Sequence, residues 1–182
     1  MTAKINNRLI LHKSRVFNLI RENVTLENGV ITNLEFIEHP GATAIIPMLT
    51  DSRVLLIRQY RHALREYIWE IPAGTLDPQE SVMNCAKREL IEETGYSAGH
   101  WQKLGEITPV PGYSDERIHI FLATDLRPAE QELDQDEIIN VHQCEFSEAM
   151  EMIKVGKIQD AKSIAGLYLA HNRLAGKASG KI

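Results

Sequence analysis

The sequence predicts an α/β fold: an α/β/α sandwich around a mixed sheet, carrying an N-terminal antiparallel β extension. Three observations predict it. Strand-length apolar runs fill the first seventy residues, one helix-periodic segment then interrupts further strands, and two helical segments close the chain. That order suits helices layered on the faces of a sheet. We assign residues 1–40 to the extension and 41–182 to the main domain.

Taken in order, residues 15–20 and 24–26 read as extended, and Glu27-Asn28-Gly29 as a turn from which 30–37 returns. Asn-Gly between alternating apolar residues is a strong hairpin signal. A hairpin of this size is marginal alone, so it needs a surface to dock on. Pro40-Gly41 punctuates the chain. Two apolar runs follow, 42–49 and 54–60, separated by the turn Thr50-Asp51-Ser52; 67–71 is a short aromatic-rich strand ending at Pro72-Ala73-Gly74. From residue 78 to 94 the period becomes helical, with Val82, Cys85, Ala86, Leu90 and Ile91 as the apolar stripe. Pro78 suits the first turn and Gly95 the position after the last. Residues 101–108, 117–123 and 138–145 read as three further strands. Residues 147–155, with Ser147 near the N-cap, and 161–174 read as the closing helices.

The bulk numbers exclude several classes. A length of 182 residues suits one domain with a modest extension, and 43% hydrophobic with 25% charged residues is ordinary for a soluble globular chain. A net charge of −5 argues against a nucleic-acid surface, although a few local arginines can still hold a small phosphorylated ligand. Cys85 and Cys144 lack metal-ligand spacing and read as reduced thiols. The first ten residues lack the apolar core of a signal peptide, and no apolar run reaches membrane-spanning length. A cytoplasmic protein without a membrane partner is expected.

The chemistry concentrates in the first helix. Glu89, Glu92 and Glu93 sit at i, i+3 and i+4, so their carboxylates share one face within reach of a single hard cation. Spacing alone favours a solvated acidic face for an arbitrary glutamate-rich helix. Two points oppose that: the like charges repel unless a cation lies between them, and carboxylates late in a helix oppose its dipole.

The surrounding residues decide between the two. Residues 74–96 resemble the Nudix box, G-x5-E-x7-R-E-U-x-E-E-x-G-U with U apolar. Gly74, Glu80, Arg88, Glu89, Leu90, Glu92, Glu93, Gly95 and Tyr96 fall on its positions, the aromatic Tyr96 being a mild departure. Seven of these positions demand one residue type, and a chance match in the chain is on the order of 10⁻⁶. The resemblance implies a Nudix-type sandwich and a metal-dependent hydrolase that attacks a diphosphate with water. It implies Glu89, Glu92 and Glu93 as ligands of Mg²⁺ or Mn²⁺, with the carbonyl of Ala73 as a further ligand. Arg88 is implied to orient a glutamate by a charge-assisted pair. Glu80 either supports the loop–helix geometry or is a helix-start carboxylate favoured by the dipole.

Three features outside the box resemble the ADP-ribose pyrophosphatase and nucleoside diphosphate sugar hydrolase branch. They are Ile57-Arg58-Gln59-Tyr60-Arg61 with Trp69-Glu70-Ile71-Pro72-Ala73-Gly74, the loop from Pro111 to Glu116, and the hairpin leading to Glu38-His39-Pro40-Gly41-Ala42. This second resemblance implies a nucleoside diphosphate sugar as substrate and a homodimer formed through the extension. It implies Arg61, with Arg58 second, as the holder of the diphosphate, and Glu116 as an acceptor from sugar hydroxyls. Gly112 either admits the ligand close to the loop backbone or is a plain turn glycine, and Tyr113 either stacks on a base or pads the loop. Glu137 is the implied general base, with Asp136 as the fallback. The histidines and tryptophans receive no catalytic role. A GDP-mannose-type hydrolase is the rival substrate reading. A catalytically silent, ligand-sensing Nudix module is the rival of another class, opposed by the intact glutamate set.

Overall fold

The computed structural model describes residues 3–133 and 138–178, with side chains to residue 176. The chain runs β1 (Lys4–Lys13), β2 (Asn18–Thr25), β3 (Ile31–Glu38), β4 (Ala42–Pro47), β5 (Arg53–Arg61), β6 (Glu66–Glu70) and β7 (Ala73–Thr75). It continues through α1 (Val82–Thr94), β8 (Tyr96–Ile107), β9 (Ile118–Pro128), β10 (Ile139–Glu145), α2 (Phe146–Lys154) and α3 (Ala161–Ala178).

The central sheet is mixed, in the order β7-β4-β9-β8, with β4 parallel to β9 and the other pairs antiparallel. Side chains alternate between its two faces. Ile46, Ile120 and Leu122 point into a core shared with Leu167 and Ala170 of α3. Ile45, Phe121 and Ala123 point the other way, onto Ala86 and Leu90 of α1. That period of two on the sheet, meeting the apolar stripe of α1, makes the sandwich. A second antiparallel sheet, β10-β5-β6, carries α2 through Phe146, Ala149 and Met152.

Besides lengthening two strands, with β8 starting at Tyr96 and β9 running to Pro128, the structure corrects the expected elements at three points. First, α1 begins at Val82 and not at residue 78. Ser81 is its N-cap, the hydroxyl accepting from the Asn84 N–H at 3.2 Å, while Pro78 stays in the preceding loop. Gly95 ends the helix in the left-handed region at φ 70°, as its position after the stripe suggests. Second, Ala73–Thr75 is a strand, β7, although its small residues carry no strand signal. Third, the chain before residue 15 forms a full strand, β1, whose ten residues are all exposed. With nothing to bury, β1 shows no apolar alternation to read.

The three-stranded extension β1-β2-β3 buries Ile20 and Val24 of its middle strand. A backbone link joins it to the loop after β8: the Ile37 N–H donates to the Tyr113 carbonyl at 2.8 Å, and the Asp115 N–H to the Ile37 carbonyl at 3.1 Å.

Candidate active site

Helical spacing brings Glu89, Glu92 and Glu93 to one side of α1, and β7 runs beneath them. Glu93 is buried at 2% exposure, and its Oε2 accepts from the Ala73 N–H at 2.8 Å. Gly74 allows the closest approach: a Cβ built there would stand 1.9 Å from the Glu89 carboxylate.

Arg88 ties this cluster together. Its Nη1 donates to Glu89 Oε1 at 2.7 Å and to Glu92 Oε2 at 2.8 Å. Its Nε and Nη2 donate to the two oxygens of Glu80 at 3.1 and 2.9 Å, and Nη2 also reaches the Thr75 carbonyl at 3.2 Å. The hydrogen bond from Arg88 holds the Glu80 carboxyl below its ordinary range, and Glu80 in turn raises the Arg88 guanidinium. Glu80 Oε2 also accepts from the Asp77 N–H at 3.2 Å, which fixes the turn leading into α1. Burial pushes the neighbouring Cys85 thiol up to about 12, so it serves as packing and not as a nucleophile.

The carboxylates face a cleft of two lobes, roughly 540 and 440 Å³, which share Arg61, Ala73, Gly74 and Thr75. The larger lobe holds Arg88, Glu89 and Glu93 and is closed on one side by Arg15, Val16 and Pro40. The extension thus contributes directly to the cleft wall. The smaller lobe holds Glu116, Glu70 and Lys162.

The structure therefore brings Ala73, Arg88, Glu89, Glu93, Arg61 and Glu116 to one cleft, with Glu92 joined to it through Arg88. It does not bring Arg58 there. Strand alternation turns Arg58 to the opposite face of β5, where its guanidinium lies 5.6 Å from the centre of the Tyr67 ring. Gly112 is exposed in the loop after β8, with nothing within 4 Å of an added Cβ. Glu137 and Asp136 lie outside the described residues. His39 accepts from the Gly41 N–H at 3.1 Å, and His142 packs edge-on to Trp69 at 4.7 Å.

Sequence reasoning missed Gln59, Glu70, Asp160 and Lys162, all of which line the cleft. Glu70 is 1% exposed and receives Arg61 along one guanidinium edge, Nε to Oε1 at 2.7 Å and Nη2 to Oε2 at 2.6 Å. Burial alone would raise the Glu70 carboxyl, but the Arg61 hydrogen bonds and the Lys162 charge outweigh it and hold the group below its ordinary range. Asp160 was legible in principle, because Asp-x-x-Ser ahead of an apolar period marks a helix start. Its Oδ2 accepts from the Ser163 N–H at 2.9 Å.

As placed, the His, Cys, Asp and Glu side chains among the described residues do not form a closed set of three metal donors. Glu89 and Glu92 are turned onto Arg88, and Glu93 onto the Ala73 N–H. The donor chemistry nevertheless fits a hard divalent cation, since every candidate ligand is a carboxylate or carbonyl oxygen. The space above Gly74 is what admits the Glu89 carboxylate to that position.

The NUDIX domain profile matches residues 38–167, well over half of the chain. The chain belongs to the NUDIX family. It is 36% identical over 155 residues to an ADP-ribose pyrophosphatase of Bacillus subtilis (strain 168), covering 84% of each chain. It is 39% identical over 144 residues to a GDP-mannose pyrophosphatase of Escherichia coli O1:K1 / APEC, covering 74% of this chain and 75% of the other. Its fold matches the crystal structure of an ADP compounds hydrolase with a TM-score of 0.85 at 27% identity, over 97% of this chain and 96% of that one. The NUDIX segment begins at Glu38, at the end of β3, so α1, the smaller lobe and most of the larger one lie within it, whereas Arg15 and Val16 come from outside the matched segment. None of the described helices is long and apolar enough to cross a membrane.

Proposed function

We propose that this protein hydrolyses the diphosphate of ADP-ribose and related nucleoside diphosphate sugars, releasing a nucleoside monophosphate and a sugar phosphate, with Mg²⁺ or Mn²⁺ as the working cation. The observation that carries this reading is the trio Glu89, Glu92 and Glu93 beside a two-lobed cleft whose waist holds Arg61. Two lobes joined at a cationic waist suit a ligand with a group on each side of a diphosphate.

Glu89, Glu92, Glu93 and the Ala73 carbonyl would hold the cation. When bound, it supplies Lewis-acid stabilisation of the charge that builds on the phosphate oxygens. Arg88 keeps the glutamates in register and Glu80 keeps Arg88 in place. Arg61 presents its unused edge to the phosphates, and Glu116 accepts from sugar hydroxyls. Glu137 takes the proton of the attacking water.

The test is a substrate panel with Mg²⁺ present or chelated, comprising ADP-ribose, ADP-glucose, GDP-mannose and a deoxynucleoside triphosphate. ADP-ribose should be turned over fastest, giving AMP and ribose 5-phosphate, and chelation should abolish turnover. Preference for GDP-mannose would replace the substrate reading with the second one, which the 39% identity to a GDP-mannose pyrophosphatase favours. Turnover of the triphosphate alone would sink both.

The extension exposes Ile5, Leu9, Ile10, Leu11, Ile31 and Leu34 on a sheet whose outer strand is exposed throughout. We infer that a second copy of the chain covers this surface, since a symmetric homodimer is the commonest solution for such a patch. A monomer mass by light scattering at micromolar concentration would refute it. The cytoplasm is the proposed location.

A further inference from the structure

Behind Arg61 lies a closed ring of polar contacts. Arg61 bonds both oxygens of Glu70, and Lys162 shares one of them: its Nζ donates to Oε2 and also to Asp160 Oδ2 at 3.0 Å. Asp160 Oδ2 accepts in addition from the Ser163 N–H at 2.9 Å and the Ser163 hydroxyl at 2.5 Å. The Ser163 hydroxyl oxygen then accepts from the N–H of Ile71, the residue after Glu70, at 2.8 Å. The ring joins β6 to the first turn of α3 across 92 positions of sequence.

Two details show that the arrangement is more than packing. Lys162 stands in the first turn of α3, where the helix dipole disfavours a cation, so the helix itself gives no reason for a lysine there. The ring's four charges, Arg61 and Lys162 against Glu70 and Asp160, also sum to zero in a cleft whose other lining stays net negative, with Asp77, Glu89, Glu93 and Glu116 against Arg15 and Arg88. Without Lys162, the Arg61 charge would be spent on Glu70, and the cleft would be one unit more negative where a diphosphate must enter.

We propose that Lys162 is a positioning residue for substrate. By sharing Oε2 of the buried Glu70 carboxylate and offsetting its charge, it leaves Arg61 docked there by one guanidinium edge with the other edge available to the diphosphate. Arg61 bonds to Glu70 through Nε and Nη2, it lines both lobes, and its side chain is 39% exposed, so the Nη1 edge opens onto the cleft. The inference rests on the reading of this cleft as a diphosphate site. Lys162 touches no reacting atom, so its effect falls on binding and not on the chemical step.

The experiment measures KM and kcat for ADP-ribose with Mg²⁺, and the Kd for ADP by calorimetry, in wild type, Lys162→Met, Lys162→Gln and Lys162→Arg. Loss of the charge should raise KM and Kd about tenfold with kcat within about twofold, and Lys162→Arg should restore both. Should Lys162→Met fail to fold, Lys162→Gln, which keeps a donor to Glu70 and drops the charge, provides the measurement. A double variant with Arg61→Gln separates the routes: on that background Lys162→Gln should add little. Unchanged KM and Kd in a folded neutral variant, or losses that simply add in the double variant, would overturn the proposal. A wild type that binds ADP in a Lys162-dependent manner yet does not hydrolyse ADP-ribose would refute the substrate reading and leave the positioning role standing.

Discussion

Replacing Gly74 by alanine tests the geometry of the site with one methyl group. The backbone at Gly74 is not in the left-handed region, so alanine fits the conformation. What it meets is Glu89, whose carboxyl carbon and Oε1 would both lie 1.9 Å from the new Cβ, with Oε2 at 2.2 Å. Contact distances for such atoms are about 3.5 Å, so the carboxylate must retreat by about 1.5 Å. The 2.7 Å bond from Arg88 Nη1 to Glu89 Oε1 then breaks. A displacement near 1 Å at a catalytic constellation costs about 10²-fold, so kcat/KM should fall by about that factor. Stability should fall but not collapse: a lost charge-assisted bond costs about 1.5–3 kcal/mol and the stiffer unfolded chain returns about 0.4–1 kcal/mol. For a chain of this size the net loss of about 0.5–2.6 kcal/mol corresponds to a fall of about 1–10 °C in Tm. The assay pairs steady-state kinetics with thermal melting. Gly176→Ala serves as the control, because nothing lies within 4 Å of its added Cβ. A Gly74→Ala enzyme within threefold of wild type would refute the idea that Glu89 must occupy this space.

Three further outcomes follow from the same geometry. Glu93→Gln keeps an oxygen for the Ala73 N–H, so the fold should persist by circular dichroism while turnover drops by at least about 10²-fold; retained turnover would remove Glu93 from the ligand set. Arg88→Met leaves Glu80, Glu89 and Glu92 without their shared partner and should cost about 3–5 kcal/mol in chemical denaturation. A loss below about 1 kcal/mol would show that Arg88 does not organise the cluster. Acid should unfold the protein through Glu70 and Glu80, whose folded-state values lie below the ordinary 4.5. The unfolded chain therefore takes up protons first, so their stabilisation is complete above about pH 5 and is lost as pH falls below 4.5 through the folded values. Denaturation of Glu70→Gln should show a shallower slope across that acid range, and an unchanged slope would count against the ring around Glu70.

What could be read from the chain was what local geometry encodes. The apolar stripe of α1, its Gly95 terminus and the common face of Glu89, Glu92 and Glu93 depend on neighbours three and four residues apart, and the family signature rests on the same segment. The start of α1 was misjudged because Pro78 and Ser81 both suit a helix entrance, and only the hydroxyl bond to Asn84 distinguishes them. β1 and β7 were missed for the opposite reason: one is exposed on both faces and the other is three small residues, so neither carries a periodic signal. The supports of Arg61 were not legible at all. Glu70 and Lys162 meet only because β6 and the first turn of α3 pack together, a tertiary event that no local pattern announces. In the sequence Arg58 ranks second to Arg61 as a phosphate holder, and their difference of three positions on a strand places them on opposite faces.

The parallel pairing of β4 with β9 also sets an order of events during synthesis. β4 needs residues 118–123 beside it, and β7, which carries Ala73 and Gly74, hydrogen-bonds within the sheet to β4 alone. Closing so long a loop is slow compared with forming α1 or the β2–β3 hairpin. The floor beneath the glutamates therefore sets only after roughly two thirds of the chain has left the ribosome, and a nascent chain halted before β9 should lack the cleft.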